Sequence, residues 1–432
     1  MSVSDMFKEF LENIKVQKSD QFKQRYEQIT KALNLKFRGT DSTTANSLQV
    51  GSYGRYTGIK GISDLDMIYI MPSSKWDDYK DHKQSRLLTD VKDAIKTRYP
   101  TTDVKVDGLV VSVKYQGFHV EVQPVFDRYN SDGSGYFEFP HTANGGSWKK
   151  TKPRQEMKAL KDLNDEKNKN LRLLCKMVRA WKNKSGAAMG GLLIDTLAYN
   201  FMKSTTYYDD KSYLYFDCLS RDFFKYLSDQ DKKDHYKAPG SNQVVKVKKD
   251  FRKKAEEAYD LCVEAIDAKG TAKENDKWRE VYGRNFPNAE TVEVSVAKAL
   301  SPFRNTEEFI ENQYPVDVRY NMSLDCEVTQ DGYRTASLFQ MLFKGNPLLP
   351  NKKLLFQVVD TDILGDYSLM WKVLNCGPEA KNRDEIRGQI LKDDGYKKRK
   401  EKTSFRGEHF VECYAIQDGV VVARAPINVP IK

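Results

Sequence analysis

The chain has 432 residues, a formal net charge of +10 from 71 Lys plus Arg against 61 Asp plus Glu, and a hydrophobic content of 39%. That length exceeds one ordinary hydrophobic core, so two domains or a lobed enzyme are expected, and the positive balance favours polyanionic partners such as nucleotides or nucleic acid. No apolar run is long enough for a membrane span, no basic-then-apolar leader opens the chain, and Cys175, Cys218, Cys262, Cys326, Cys376 and Cys413 show no Cys-x-x-Cys spacing; a soluble, unexported cytoplasmic protein with reduced thiols is the expectation.

Two amphipathic helices are predicted first, from Met6, Phe7, Phe10, Leu11 and Ile14 and then from Phe22, Tyr26, Ile29 and Leu33 at helical spacing. They lead into Val50 to Met71, VGSYGRYTGIKGISDLDMIYIM, where a Gly-Ser turn is followed, twelve positions after its serine, by Asp-Leu-Asp entering an apolar run. In a strand Asp64 and Asp66 share a face while Leu65 and Met67 point inward. Two carboxylates so placed raise each other's pKa unless a cation sits between them, and an all-oxygen set suits magnesium, or manganese in its place. Gly51 lets backbone N–H groups approach a phosphate, Ser52 adds a hydroxyl, and Arg55 and Lys60 put positive charge nearby.

A helix is predicted from Arg86 to Tyr99, ended by Pro100. Two strands, Leu109 to Tyr115 and Phe118 to Phe126, are then joined at Gln116-Gly117, with Phe118, Val120 and Val122 on one face and His119, Glu121 and Gln123 on the other. Glu121 is the candidate third carboxylate of a two-metal site serving in-line phosphoryl displacement. The Gly-, Ser- and Asn-rich stretch Asn130 to Gly146 is predicted to be a loop, and charged residues after Pro153 run through Lys169 before the next clear helix.

On the helix Leu171 to Lys182 an apolar stripe (Leu171, Leu174, Cys175, Val178, Trp181) lies beside a basic one of Arg172, Lys176 and Arg179, which reads either as a solvated face or as a triphosphate contact. Apolar helices follow at Gly190 to Met202, with Asp195 and Tyr199 as polar exceptions, at Phe216 to Leu227 and at Lys246 to Ile266. Lys269 to Asn312 is poorer in apolar residues and reads as a connector. From Tyr314-Pro315 onward the pattern alternates: Val316 to Val328, Lys353 to Asp360, Trp371 to Asn375, Glu408 to Ile416 and Val420 to Val429 are predicted strands, the last two joined by a tight turn at Gln417-Asp418-Gly419.

The combination of Gly-Ser, the spacing to Asp-x-Asp, the apolar strand and a carboxylate in a second strand resembles the nucleotidyltransferase superfamily that includes DNA polymerase β. With Leu33-Asn34, Ser47 to Asp66, Trp148 and Pro153, the first two thirds of the chain resemble the bacterial CD-NTases, SMODS-type second-messenger oligonucleotide synthases. The segments WKVLNCGPEA, IRG and FRGEHFVECYAIQDGVVVAR resemble their appended AGS-C-type sensor domain. Glu121 departs from the aspartate more frequent in that family.

The resemblance implies an α/β (α+β) chain with a polymerase β-like nucleotidyltransferase core over residues 1–150 including bracing helices, a helical lobe over 151–290, a connector over 291–313 and a small β-rich sensor-like domain over 314–432. It implies an enzyme using two magnesium ions held by Asp64, Asp66 and Glu121, a donor triphosphate held by Gly51 and Ser52, and cationic help from Arg55, Lys60, Lys176 and Arg179. Its partners would be nucleoside triphosphates, ribo or deoxy, a separate effector protein that reads the short cyclic or linear product in antiphage defence, and a regulatory ligand at the C-terminal domain, for which Trp371, Asn375, Arg383, Arg387, His409 and Glu412 are candidates. A template-independent polymerase of longer RNA or DNA, and a transferase acting on a protein, tRNA or small molecule, are alternatives that use the same site.

Overall fold

In the computed structural model the described residues are 1–17, 19–289, 308–329, 335–375, 378–383, 387–393 and 395–432. The connector expected over 291–313 lies outside them up to residue 307, as do Cys376, Gly377 and Ile386 of the C-terminal motifs. They divide into two compact units, Met1–Lys184 with Met189–Ala289, and Ser185–Ala188 with the C-terminal residues. No helix among the described residues is long and apolar enough to cross a membrane.

The N-terminal unit begins with helices α1 (Val3–Asn13) and α2 (Ser19–Arg38), the first opened by a capping box between Ser2 and Asp5. Its sheet contains β1 (Ser47–Gln49), β2 (Asp64–Ile70), β3 (Asp103–Asp107), β4 (Val110–Tyr115) and β5 (Phe118–Tyr129) in the order β1-β2-β5-β4-β3. Only β2 and β5 of this path run parallel, and the helix Gln84–Arg98 lies in the connection between them. One face of β2 and β5 (Leu65, Met67 and Tyr69; Phe118, Val120 and Val122) is buried against Ile29, Leu33, Leu87, Val91 and Ile95 of the helices. Period-two alternation then leaves Asp64, Asp66, His119 and Glu121 half-buried on the opposite face.

The stretch expected as one loop contains a strand, β6 (Gly135–His141), which pairs with the extension of β5 and with β7 (Ser147–Thr151). Composition argued for a turn, but Phe137 is buried with Ile68 and Val125, and pairing to β5 overrides the local preference. The charged run after Pro153 is likewise a helix, Pro153–Glu166, with proline in its first turn, Leu160 and Leu163 buried, and Lys161 paired with Asp165 at 2.7 Å on the outside.

Helices Asn170–Ser185, Gly191–Ser204, Phe216–Ser228 and Arg252–Asp267 follow the predicted apolar spacing, although the last starts later than expected because Val244–Lys246 pairs as a strand with His235–Lys237. The expected connector also contains a helix, Ala272–Tyr282, whose Trp278 is fully buried. Its ring lies 5.1 Å from Phe7 of α1, and Phe286 closes the same cluster at 5.2 Å from Phe7. Few apolar residues sufficed here because Trp278, Tyr282 and Phe286 are large aromatics and all three are buried.

The C-terminal unit is a sandwich of two four-stranded antiparallel sheets. One comprises β8 (Met322–Thr329), β9 (Ala336–Ser337), β10 (Lys353–Thr361) and β13 (Lys398–Lys402); the other comprises β11 (Ser368–Leu374), β12 (Ile390–Lys392), β14 (Gly407–Gln417) and β15 (Val420–Ile431). The β14–β15 hairpin turns at Asp418 and Gly419, both at positive φ (52° and 76°), as a two-residue turn matched to strand twist requires. Trp371 is core, its indole donating to Asp393 at 2.8 Å, and Glu412 is buried against Arg424 at 2.6 Å.

Replacing Trp278 by alanine is expected to cost roughly 3–5 kcal/mol, as for other large-to-small changes in cores; urea denaturation followed by circular dichroism will measure it.

Candidate metal and nucleotide site

The parallel register of β2 and β5 sets Asp64 opposite His119 and Asp66 opposite Glu121. Asp64, His119 and Glu121 each offer a ligand atom within 4.8 Å of the others, and His119 Nε2 lies 3.2 Å from Glu121 Oε1. The Ser63 hydroxyl donates to Asp64 Oδ1 at 3.2 Å, and Ser112 and Lys114 of β4 stand next to Glu121 and His119 in the ladder. His119 was visible in the sequence only as a residue sharing Glu121's face. Its closeness to Asp64 depends on which residues of two distant strands pair.

Asp66 is turned towards the Gly-Ser turn. Gly51 is at φ +64°, and a Cβ built on it would fall 1.7 Å from Asp66 Oδ2, so the carboxylate fills the space that any other residue would need. The Ser52 carbonyl accepts from the Thr57 and Gly58 amides at 2.9 and 3.0 Å, folding the following residues back over the turn. The sequence signals Gly51, Ser52, Asp64, Asp66 and Glu121 are thus gathered at the ends of β2 and β5. The clustered donors, the carboxylates of Asp64 and Glu121 with the His119 imidazole, fit a divalent cation, and Asp66 stands two residues along β2 against Gly51.

Two expected phosphate contacts are placed elsewhere. Arg55 donates through Nε to Asp195 Oδ2 at 2.8 Å, and Arg179 through Nη1 to Asp195 Oδ1 at 2.6 Å. Thr57 adds a hydroxyl at 3.1 Å, and Arg179 also donates to the Cys175 and Gly191 carbonyls. Asp195 is completely buried. Burial pushes its carboxyl up, but Arg179 and Arg55 outweigh that and hold it at about 2. Both guanidiniums therefore serve as braces that fasten the residues after the Gly-Ser turn to the helices Asn170–Ser185 and Gly191–Ser204. A basic residue on a helix carries no mark of its partner, and Asp195 lies 140 residues from Arg55.

Lys176 and Arg172 remain beside the turn. The Arg172 guanidinium lies 4.8 Å over the exposed Tyr56 ring, and its buried Nε has no hydrogen-bond partner. Lys176 is half-buried, and its pKa is lowered by that burial and then by the like charges of Arg172 and Lys15. Lys60 is exposed, and its amide donates to the Ile14 carbonyl at 2.7 Å. A cation whose charge is disfavoured by burial and by neighbouring like charges, as Lys176 is, is stabilised by an anion. This makes the surroundings of Tyr56 the electropositive side of the site.

Removing Asp195 strands two buried guanidiniums. Asp195→Ala is expected to lower unfolding free energy by roughly 3–5 kcal/mol, the usual cost of breaking a buried ion pair from one side; denaturant titration at neutral pH measures it. In the wild type the Asp195 contribution is fully present above the unfolded carboxyl pKa of about 3.9 and is lost as pH falls towards about 2.

Comparison with known proteins adds relatives to this geometry. Residues 101 long in alignment are 30% identical to cytidylate cyclase of Staphylococcus aureus, covering 23% of this chain and 22% of that protein. A probable cyclic nucleotide synthase of Bacillus cereus is 22% identical over 283 residues, covering 56% of this chain and 82% of its own. The structure of E. coli MS115-1 CdnC in complex with HORMA is similar over 66% of this chain and 98% of that one, at 15% identity and a TM-score of 0.49. Residues 1–164 match the Second Messenger Oligonucleotide or Dinucleotide Synthetase domain, SMODS, and residues 304–432 the Adenylyl/Guanylyl and SMODS C-terminal sensor domain. The two family models thus match separate parts of this chain, one at each end, and neither spans half of it.

Proposed function

We propose that the chain is a divalent-metal-dependent nucleotidyltransferase that joins nucleoside triphosphates into a short cyclic or linear oligonucleotide and releases pyrophosphate. The observation that carries this reading is the β2–β5 register, which collects Asp64, Asp66, His119 and Glu121 on one face with Gly51 against the Asp66 carboxylate. Residues 1–150 supply the core and 151–290 the helices beside it, with 314–432 as a regulatory domain.

Asp64 and Glu121, with His119 in the same group, would hold magnesium or manganese, and Asp66, opposite Glu121 in the ladder, would add the third carboxylate. The bound metal supplies neutralisation of the charge that develops on the transferred phosphoryl group and the leaving pyrophosphate. Gly51 and Ser52 admit the donor triphosphate close to the backbone, while Lys60, Arg172 and Lys176 provide positive charge for it. Glu121 and His119, within hydrogen-bond distance of each other, are the groups suited to take the proton of an attacking 2′- or 3′-hydroxyl. The free thiols Cys175, Cys218, Cys262, Cys326 and Cys413 support work in a reducing cytoplasm. On this reading the product is a signal for a separate effector in antiphage defence.

Incubation with magnesium or manganese and labelled ribo- or deoxynucleoside triphosphates, resolved by mass, is expected to give oligonucleotides with the wild type. Asp64→Asn and Asp66→Asn are expected to lower the rate about a thousandfold or more while circular dichroism is unchanged. Full activity in either variant, or products only when a protein, tRNA or small-molecule acceptor is added, counts against the proposal. Arg172→Gln and Lys176→Gln are expected to raise KM for the triphosphate about tenfold, the loss of one charge-assisted contact; unchanged KM in both removes these residues from the site.

A further inference from the structure

The C-terminal unit contains a cavity of about 410 Å³ at one end of its sandwich, open between the two sheets. That volume falls within the range of small-molecule sites. Its inner wall is apolar: Leu354 and Phe356 from β10 face Val411 of β14 and Val429 and Ile431 of β15. The rest of the lining is more polar, and its charged residues are Arg387, Glu401 and Lys402.

The charges there are unequal. Glu401 accepts from Arg387 through two parallel hydrogen bonds, at 2.9 and 3.1 Å, and also from Arg399 Nε at 2.8 Å. Two guanidiniums share one carboxylate, which leaves a net positive charge on the cluster. An anion that draws Arg387 away still leaves Glu401 paired with Arg399, so exchanging the partner of Arg387 strands no buried charge. His409 also lines the cavity; it is buried, and burial lowers its pKa. Phe405, edge-on to His409 at 5.1 Å, and Phe356 give the interior an aromatic lining.

We infer that this cavity is the ligand site of the C-terminal domain, and that it takes a small molecule with an aromatic body and one anionic group, the body seated against Phe356, Phe405 and Val411 and the anion on Arg387. Asn375, Arg387 and His409 of the sequence-predicted candidates line the cavity, whereas Trp371 is held inside the sandwich, Glu412 is buried on the other face of β14 against Arg424 and Tyr414, and Arg383 pairs with Glu379 at 2.7 Å. The assignment does not rest on the synthase reading, because it uses only residues of the C-terminal unit.

The test uses the full chain and the fluorescent probe 8-anilinonaphthalene-1-sulfonate, an aromatic body with one sulfonate. The wild type is expected to bind it saturably, and its neutral counterpart N-phenyl-1-naphthylamine at least tenfold more weakly. Arg387→Gln is expected to weaken the sulfonate at least tenfold without changing the neutral dye, and Val411→Trp, which fills the cavity, to abolish both. Phe343→Ser, at an exposed aromatic on another part of the domain, is expected to bind as the wild type does. Adenosine 5′-monophosphate and phenylacetate as competitors separate a nucleotide from an aromatic carboxylate as the natural class. Sulfonate affinity unchanged within twofold in Arg387→Gln, loss of binding in Phe343→Ser, or displacement by neither competitor overturns the assignment; the first comparison stands even if Val411→Trp fails to fold.

Discussion

The parallel pairing of β2 with β5 is the constraint on which the N-terminal unit turns. Register in a sheet is set in steps of one residue, and a slip of one would carry every carboxylate to the buried face. It is held by the other face, where Leu65, Met67, Tyr69, Val120 and Val122 have no low-energy alternative to burial under the helices. The acidic residues are therefore placed by apolar ones, and a site that repels itself is built at no cost to the core. Farther along the same strands Ile68 and Val125 turn the carboxylate face into a small apolar cluster with Phe137, which bounds the polar region at one end.

Asp195 performs the complementary task for the loop. A fully buried carboxylate is unfavourable alone, but between Arg55 and Arg179 it ties a segment with few apolar residues to two helices. Hydrophobic packing alone has little to work with from Arg55 to Lys60, where Ile59 is the one buried aliphatic side chain and Arg55 and Thr57 are buried polar ones. The same pairing separates two kinds of basic residue that look alike in a sequence: guanidiniums used up inside the protein, and the Arg172 and Lys176 charges, left at the surface of the site next to Tyr56.

In the C-terminal unit a comparable inequality of charge appears at a cavity, where Arg387 and Arg399 share Glu401. The sandwich core around Trp371 and Cys413 is closed, yet at Leu354, Phe356 and Val411 the apolar wall borders an unfilled space. Natural cores are packed to crystal-like density, so an unfilled apolar space edged by polar groups departs from ordinary core packing and has the character of small-molecule sites.

Much of this was legible in the residues. Asp64-x-Asp66 ahead of an apolar run determines that the two carboxylates share a face, because alternation is a property of any strand; Gly51-Ser52, the strand pair around Gln116-Gly117 and the Asp418-Gly419 turn are local in the same sense. The strand Gly135–His141 and the helices Pro153–Glu166 and Ala272–Tyr282 were hidden, since each contains too few apolar residues for its period to show and is stabilised by partners elsewhere in the chain. Only the tertiary structure decided that His119 joins Asp64, that Arg55 and Arg179 meet on Asp195, and that Arg387 edges a cavity. Those outcomes depend on pairings between residues far apart in sequence, and a side chain's own chemistry specifies what it can bind but not which of several equivalent partners will be brought to it.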